Sequence, residues 1–306
     1  MASSERLCVV TGAFGYTGRY IARMLLDRGV RVRTLTNHPR DPDPFAGAVE
    51  IRPLRFSRPA ELRESLRGAD SLINTYWVRF PWGGETHESA VAHTRTLIGA
   101  AKEAGVRRLV HVSIANPSAD SDLSYYRGKG ELEEFIRGAG ISYAILRPTV
   151  VFGPEDILIN NIAWVLRHLP VFGMPGRGDY KMQPVFVEDF AALAVDSTDG
   201  DTNVAVDAVG PEIYTFAELL QTVKQIIGSR CLILAMPPML ALAAARTIGA
   251  LMGDVMLTAD EVKGLMRDLL VSAQPPPCRT RLSDWLKKNA GSVGMNYASE
   301  LARRRR

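Results

Sequence analysis

The chain has 306 residues, of which 46% are hydrophobic and 23% are charged, and its formal net charge is +4. These values exclude a globally disordered chain and indicate a globular protein with one large α/β domain or two smaller domains. Residues 303–306 are four arginines, and without them the chain would be neutral. We interpret this run as a solvated terminus, which argues against a nucleic-acid partner.

The cysteines indicate the compartment. Cys8, Cys231 and Cys278 are far apart and form no C-x-x-C motif. This pattern predicts a reducing compartment, here the cytoplasm, with neither disulfides nor a zinc site. The first ten residues carry no basic region before a long apolar run, so we expect no secretory signal.

The longest apolar segment covers residues 231–252 and is interrupted by Pro237, Pro238 and Arg246. A membrane-spanning helix needs about 20 uninterrupted apolar residues. We therefore expect a buried strand followed by a buried helix, with a peripheral membrane contact as the open alternative.

The first half of the chain alternates between strand-like and helix-like segments. Residues 6–11 form a short apolar run, and residues 16–29 follow with apolar side chains on one helical face and Gly29 as the end signal. The alternation continues through VRVRTLT, VEIRPLRF, PAELRESLRG, DSLINTYW, ESAVAHTRTLIGAAKEAG, RRLVHVS and SYAILRPTVVFG. Strands separated by helices predict βαβ units, and therefore an α/β fold with a doubly wound parallel sheet of the Rossmann type.

The regular alternation weakens after residue 153, and this suggests two domains. We assign residues 1–153 to a dinucleotide-binding core, with residues 183–209 returning to it. Residues 154–182 and 210–306 then form a smaller, mostly helical region that we expect to bind the substrate.

Three glycines lie between the first strand and the first helix. Gly12, Gly15 and Gly18 form the motif GAFGYTG. In a dinucleotide-binding turn, such glycines allow the tight turn, the approach of a pyrophosphate and the close packing of helix on strand. The helix that begins near Tyr16 would direct its free N–H groups at the phosphates. A plain tight turn is the alternative interpretation.

The segment after the second strand bears on the choice of cofactor. An NAD site usually has an acidic residue there to bind the ribose hydroxyls. The sequence instead reads TLTNHPR and has no acidic residue before Asp41. Asn37 and Arg40 are therefore candidate cofactor-binding residues, and Arg40 or Arg19 could pair with a 2′-phosphate. We expect NADP, with NAD as the alternative.

Tyr125 and Lys129 are one helical turn apart in the segment DLSYYRGKGELEEF. A free tyrosine titrates near pH 10, and an ammonium one turn away lowers that pKa by stabilising the phenolate. Gly128 and Gly130 flank Lys129 and disfavour a helix. Close packing would explain these glycines, and local disorder is the alternative.

Four motifs occur in the order typical of short-chain dehydrogenases/reductases. TGAFGYTG resembles the TGxxGxxG motif of that family, YYRGK its YxxxK motif, AILRPTVVFGPED its LRPxxVYGP segment and QPVFVEDFAALA its VhVxDvAxA stretch. Together they resemble the extended or atypical, NAD-dependent epimerase-like branch. NmrA-like proteins and the nucleotide-binding accessory subunit of respiratory complex I are the members most similar in pattern.

This resemblance implies roles for particular residues. Tyr125 would be the general acid/base, and Lys129 its electrostatic partner and a ligand of the cofactor. Ser113 would hydrogen-bond the substrate oxygen, and Pro148 of the LRP motif would border the cofactor.

In two places the chain departs from the family pattern. Ser113 is followed by Ile114 where many members have a second hydroxyl residue, so Ser113 could instead only cap backbone groups.

The second departure is Arg55, which stands where the family usually has an acidic residue that contacts adenine.

Other candidates have two interpretations each. Four aromatic residues after the fourth strand could line a substrate pocket or pack against residues 154–182: Tyr76, Trp77, Phe80 and Trp82. Asn160 and Asn161 could orient a substrate or cap a helix. His87 and His93 are six residues apart, which does not fit the i, i+4 spacing of a helical zinc site, so we expect no metal.

The sequence therefore predicts a cytoplasmic NAD(P)-dependent oxidoreductase or epimerase that acts on a small molecule by hydride transfer, with Tyr125 and Lys129 as the acid/base couple. The alternative is a non-catalytic NAD(P)-binding module, such as a redox sensor or a subunit of a respiratory complex. A homodimer is compatible with either interpretation, and the substrate cannot be inferred from the sequence.

Overall fold

The computed structural model describes residues 6–38 and 42–305, so the candidate Arg40 lies outside the described residues. The chain divides into two compact units. The first comprises Met1–Pro148 and Phe190–Asp207, and the second comprises Thr149–Asp189 and Ala208–Arg306.

The first unit is built on a seven-stranded sheet with the order β11-β6-β5-β4-β1-β2-β3. Strands β1 to β6 pair with one another in parallel. The strand order reverses between β1 and β4, where α/β sheets of this kind bind ligands. The strands are β1 (Leu7–Thr11), β2 (Arg31–Leu35), β3 (Val49–Arg52), β4 (Ser71–Asn74), β5 (Arg108–Val112), β6 (Ser142–Pro148) and β11 (Val204–Ala208).

Helices connect these strands and cover the sheet. They are α1 (Tyr16–Asp27), α2 (Pro59–Leu66), α3 (His87–Glu103), α4 (Ser124–Gly138) and α6 (Val187–Asp196). The buried side chains of Val9, Leu72, Leu97 and Leu109 belong to one core cluster. Because central parallel strands are covered on both faces, β1 is buried at all five positions. The predicted α/β doubly wound fold is confirmed.

The second unit has its own core and short strand pairs. Phe152, Ile162, Leu219 and Trp285 belong to its buried cluster. The pairs are β7 (Val151–Phe152) with β10 (Val185–Phe186), β9 (Lys181–Met182) with β12 (Tyr214–Thr215), and β8 (Val171–Pro175) with β13 (Leu232–Met236). The helices are α5 (Leu158–His168), α7 (Phe216–Ile226), α8 (Pro238–Leu251), α9 (Ala259–Leu265), α10 (Leu282–Lys288) and α11 (Glu300–Arg305).

The longest apolar segment forms the expected strand β13 and helix α8, but the prediction that both are buried is wrong. Leu232 is 58% exposed, Met239 73% and Leu251 82%. Apolar composition alone could not predict this, because it does not reveal whether enough of the chain packs against a given helix face. In the described part of the chain, none of the helices has the length and apolar character needed to span a membrane.

All three cysteines are free thiols with buried side chains. Burial raises the pKa of both Cys8 and Cys278 to about 12. These thiols are therefore protonated and inaccessible in the folded chain.

Candidate functional site

The glycine turn has a backbone geometry that side chains would disrupt. Gly12 has φ +68°, and the N–H of Gly15 donates to the Gly12 carbonyl oxygen at 2.8 Å. A Cβ atom on Gly18 would lie 2.2 Å from that same oxygen. Glycine at position 18 therefore lets helix α1 pack directly against the end of β1.

The turn and the start of α1 fit a phosphate group. Gly15 is the N-cap residue, Tyr16 begins the helix, and no acidic residue lies in the first turn. A helix N-terminus without acidic side chains attracts anions through its N–H groups and its dipole. The three predicted glycines and Tyr16 are thus brought together in a cradle suited to a dinucleotide.

A buried polar network lies at the ends of β1, β4 and β5. The Thr11 hydroxyl donates to Asn74 Oδ1 at 3.0 Å and accepts from the Thr75 N–H at 2.8 Å. Asn74 Nδ2 lies 3.1 Å from His111 Nδ1. The pKa of His111 is well below its usual value, mainly because the imidazole is buried and to a smaller extent because of the nearby charge of Lys129. This network orients the segment after β4 at the point where the strand order reverses.

Helix α4 carries the Tyr125–Lys129 pair. Lys129 is only 2% exposed, and its Nζ donates to the Val112 carbonyl oxygen at 2.7 Å. Burial lowers the pKa of Lys129 to about 7, and the carboxylate of Glu133 acts in the opposite direction. Tyr125 is half-buried, and its ring meets those of Trp77 and His87 edge to face, at 5.6 and 5.5 Å between centroids.

Close packing explains both glycines beside Lys129. A Cβ atom on Gly128 would lie 2.9 Å from Cη2 of Trp77. A Cβ atom on Gly130 would lie 2.3 Å from the backbone N of Ala119. The alternative of local disorder is excluded, since both glycines are within the helix.

Ser113 is buried, and its hydroxyl donates to Glu133 Oε1 at 2.7 Å. The same carboxylate accepts hydrogen bonds from Arg147 and Arg137. The structure thus places Ser113 in a charged network centred on Glu133 of α4. Pro148 ends strand β6, and its carbonyl oxygen accepts from the Ala115 N–H at 2.9 Å, which fixes the segment after Ser113.

The residues expected near the cofactor 2′ position have contacts within the chain. Asn37 is exposed, and its side-chain amide donates to and accepts from the backbone of Leu54. Arg55 forms a hydrogen-bonded ion pair with Glu61 at 3.0 Å. Asn37 therefore links the segments that follow β2 and β3.

The aromatic residues after β4 have different environments. The hydroxyl oxygen of Tyr76 lies 2.9 Å from Nδ1 of His93. Phe80 is buried, and Trp82 is 46% exposed. Trp77 contacts Lys129, whose Nζ lies 4.2 Å from the indole centroid. Trp77 thus joins the Tyr–Lys pair, a placement that the sequence left open.

The remaining candidates show structural contacts. Asn160 Nδ2 donates to the carbonyl oxygen of Gly153 at 3.2 Å, and Asn161 makes two hydrogen bonds to the backbone of Ala298. Both side chains thus hold backbone groups of other segments, and neither caps α5, whose N-cap residue is Ile157. Among the described residues, no group of three or more His, Cys, Asp or Glu side chains is arranged to hold a metal ion.

Sequence reasoning missed Glu133 and the contact of Trp77 with Lys129. Glu133 lies four residues after Lys129, so the i, i+4 spacing was an available signal. No local signal could have found the contact between Trp77 and Lys129, which lie on separate elements.

Comparisons with known proteins agree with this geometry. Residues 12–156 match a family model described as NAD(P)H-binding. A mitochondrial NADH dehydrogenase [ubiquinone] 1 alpha subcomplex subunit 9 of Arabidopsis thaliana is 26% identical over 87% of this chain and 71% of its own length. The ceramide reductase of Caulobacter vibrioides is 26% identical over 82% of this chain and 80% of its own length.

A solved structure shows the same fold. The NADPH-dependent quinone oxidoreductase of Escherichia coli, complexed with NADPH, superposes with a TM-score of 0.72 at 21% identity, over 98% of this chain and 100% of the other. Together these findings confirm the resemblance to the extended short-chain dehydrogenases/reductases. Residues 12–156 are thus similar to NAD(P)H-binding domains, and the fold is the one seen in known reductases and epimerases.

Proposed function

We propose that this protein is an NAD(P)H-dependent oxidoreductase or epimerase in which Tyr125 and Lys129 are the acid/base couple. The observation that carries the proposal is the placement of the pair on α4, with Lys129 buried and bonded to the end of β5. The glycine cradle provides the matching site for the dinucleotide phosphates.

The bound nicotinamide would supply or accept the hydride at a substrate carbon. Tyr125 would pass a proton to or from the adjacent oxygen, and the Lys129 ammonium would stabilise its phenolate form. Lys129 would also orient the cofactor ribose. Ser113 would stabilise the substrate oxygen if its hydroxyl turned from Glu133 to the substrate.

We propose NADP as the preferred cofactor, because the segment after β2 has no acidic residue before Asp41. Asn37 and Arg19 are the described residues we expect near the 2′ position. Arg40 is a further candidate from the sequence alone.

The first test is a fluorescence titration of the purified protein with NADPH and NADH separately. Tight binding of one cofactor, abolished by Gly15→Asp, would support the phosphate cradle, because the new carboxylate repels phosphate. A screen of carbonyl substrates then compares the wild type with Tyr125→Phe, which should lose turnover and keep cofactor affinity. Absence of binding by either cofactor would contradict the proposal.

A non-catalytic NAD(P)H-binding module is the second candidate. It is favoured by the hydrogen bond that directs the Ser113 hydroxyl to Glu133, and by the similarity to a respiratory-complex subunit. A redox sensor of the NmrA-like type is one form of this candidate. Cofactor binding without turnover of any carbonyl substrate would support it.

Partners and location are also proposed. We propose a small-molecule substrate, a cytoplasmic location and a homodimer. The exposed apolar side chains of β13 and α8 are the region in which we would look for a peripheral membrane contact.

A further inference from the structure

Trp77 contacts both members of the Tyr–Lys pair. Lys129 Nζ lies 4.2 Å from the centroid of the indole ring, and the ring of Tyr125 meets the indole edge to face at 5.6 Å. The indole also stacks on His87, with an interplanar angle of 3°. Trp77 is held at this place by the segment after β4, in which the Tyr76 N–H donates to Thr11 Oγ1 at 3.1 Å.

Other described groups also act on the charge of Lys129. Its ammonium donates to the Val112 carbonyl oxygen at 2.7 Å. Glu133 on the same helix favours the charged form, but its carboxylate accepts hydrogen bonds from Ser113 and Arg147. The buried imidazole of His111 on β5 also interacts with the ammonium, and its lowered pKa leaves it neutral at pH 7.

The face of an indole attracts a cation through the ring quadrupole, and tryptophan is the most effective side chain for this. We propose that Trp77 is a positioning residue whose indole face holds the Lys129 ammonium in its charged form beside Tyr125. Any effect of Trp77 on cofactor binding or on proton transfer by Tyr125 rests on the proposed function. The effect of Trp77 on the charge of Lys129 does not.

Gly128 makes this contact possible. Its missing side chain leaves room for the indole, because a Cβ atom there would lie 2.9 Å from Cη2 of Trp77 and 3.0 Å from Cγ2 of Val91. Gly128→Ala should therefore push the indole away from the helix while leaving Trp77 itself in the sequence.

The test measures the pKa of Lys129 directly, in protein without cofactor. Lysine labelled with ¹³C at Cε is titrated by NMR, and Lys129→Met identifies the resonance among the seven lysines. Trp77→Phe and Trp77→Leu both leave a smaller apolar side chain, but only phenylalanine keeps an aromatic face. We expect the pKa of Lys129 to be lower in the Leu variant than in the Phe variant by about 0.5 to 1 unit.

Trp82→Leu is the matched control, because Trp82 belongs to the same segment and is 46% exposed. It should leave the pKa of Lys129 unchanged. Equal values in the Phe and Leu variants, or a higher value in the Leu variant, would overturn the inference. If the Leu variant does not fold, Gly128→Ala replaces it, and an unchanged pKa of Lys129 in that variant overturns the inference equally.

A second readout separates this inference from the proposed function. NADPH affinity is measured against pH in the wild type and in Trp77→Phe. If Lys129 binds the cofactor, the midpoint of this profile follows the pKa measured by NMR. A shifted pKa with a pH-independent affinity would retain the role of Trp77 and contradict the role of Lys129 in cofactor binding.

Discussion

Gly130 lies inside helix α4, where an alanine is ordinarily more stable than a glycine by about 1 kcal/mol. Its surroundings reverse that expectation. A Cβ atom at this position would lie 2.3 Å from the backbone N of Ala119 and 2.4 Å from the carbonyl carbon of Ser118. Because both are backbone atoms, the helix or the loop must move, and such overpacking costs about 1–3 kcal/mol. Contacts this short place the cost in the upper part of that range, about 2–3 kcal/mol, and subtracting the helix preference of about 1 kcal/mol leaves an expected loss of about 1–2 kcal/mol in the free energy of unfolding of Gly130→Ala.

The assay is thermal unfolding followed by circular dichroism. For a unit of this size, 1 kcal/mol corresponds to about 2–4 °C, so the midpoint of Gly130→Ala should fall by about 2–8 °C. Gly99→Ala is the matched control, since Gly99 lies within α3 and a Cβ atom there would meet nothing within 4 Å. That variant should unfold at a temperature about 2–4 °C above the wild type.

The two variants should thus change stability in opposite directions. If Gly130→Ala unfolds at or above the wild-type temperature while Gly99→Ala behaves as expected, the close approach of α4 to the loop is not present in solution. Packing against that loop would then not be what fixes the helix carrying Tyr125 and Lys129.

Three further predictions concern the site. Gly18→Ala brings a Cβ atom to 2.2 Å from the Gly12 oxygen, so NADPH affinity should fall at least about tenfold, with circular dichroism testing that the fold is kept. Lys129 has a folded pKa of about 7 and an unfolded pKa of 10.5, so the unfolded chain binds more protons between these values and stability rises with pH across that window. Lys129→Met should therefore be more stable than the wild type at pH 6, by up to about 5 kcal/mol, with the difference in urea unfolding disappearing as the pH approaches 10.5; a difference independent of pH would contradict the assigned shift. Glu133→Gln removes the closer of the two carboxylates paired with Arg147, the other being that of Asp207 at 3.6 Å, and should cost about 1–3 kcal/mol in the same urea assay, whereas a neutral effect would show that the network does not stabilise the fold.

Local sequence signals predicted the parts of the molecule that depend on neighbouring residues. The alternation of strands and helices gave the α/β sheet, and Gly12, Gly15 and Gly18 gave the turn between β1 and α1. Both are properties of short segments, so residue spacing alone carries the information.

Contacts between distant segments could not be predicted in this way. Trp77 and Lys129 meet because the segment after β4 and helix α4 lie side by side. The hydrogen bond from Ser113 to Glu133 likewise depends on how β5 and α4 pack. Met239 is a case in which an expected contact is not formed, since this apolar side chain is largely exposed. An apolar segment indicates a preference for burial and does not show which surface covers it.

The three buried thiols allow local unfolding to be measured without introducing a label into the sequence. Cys8 is in the central sheet of the first unit, and Cys231 and Cys278 are in the second unit. Because a thiol reacts with an alkylating reagent only when it is exposed and deprotonated, the labelling rate at each cysteine reports how often its surroundings open. Mass spectrometry of the alkylated peptides would therefore measure the stability of the two units separately, in the unmodified sequence.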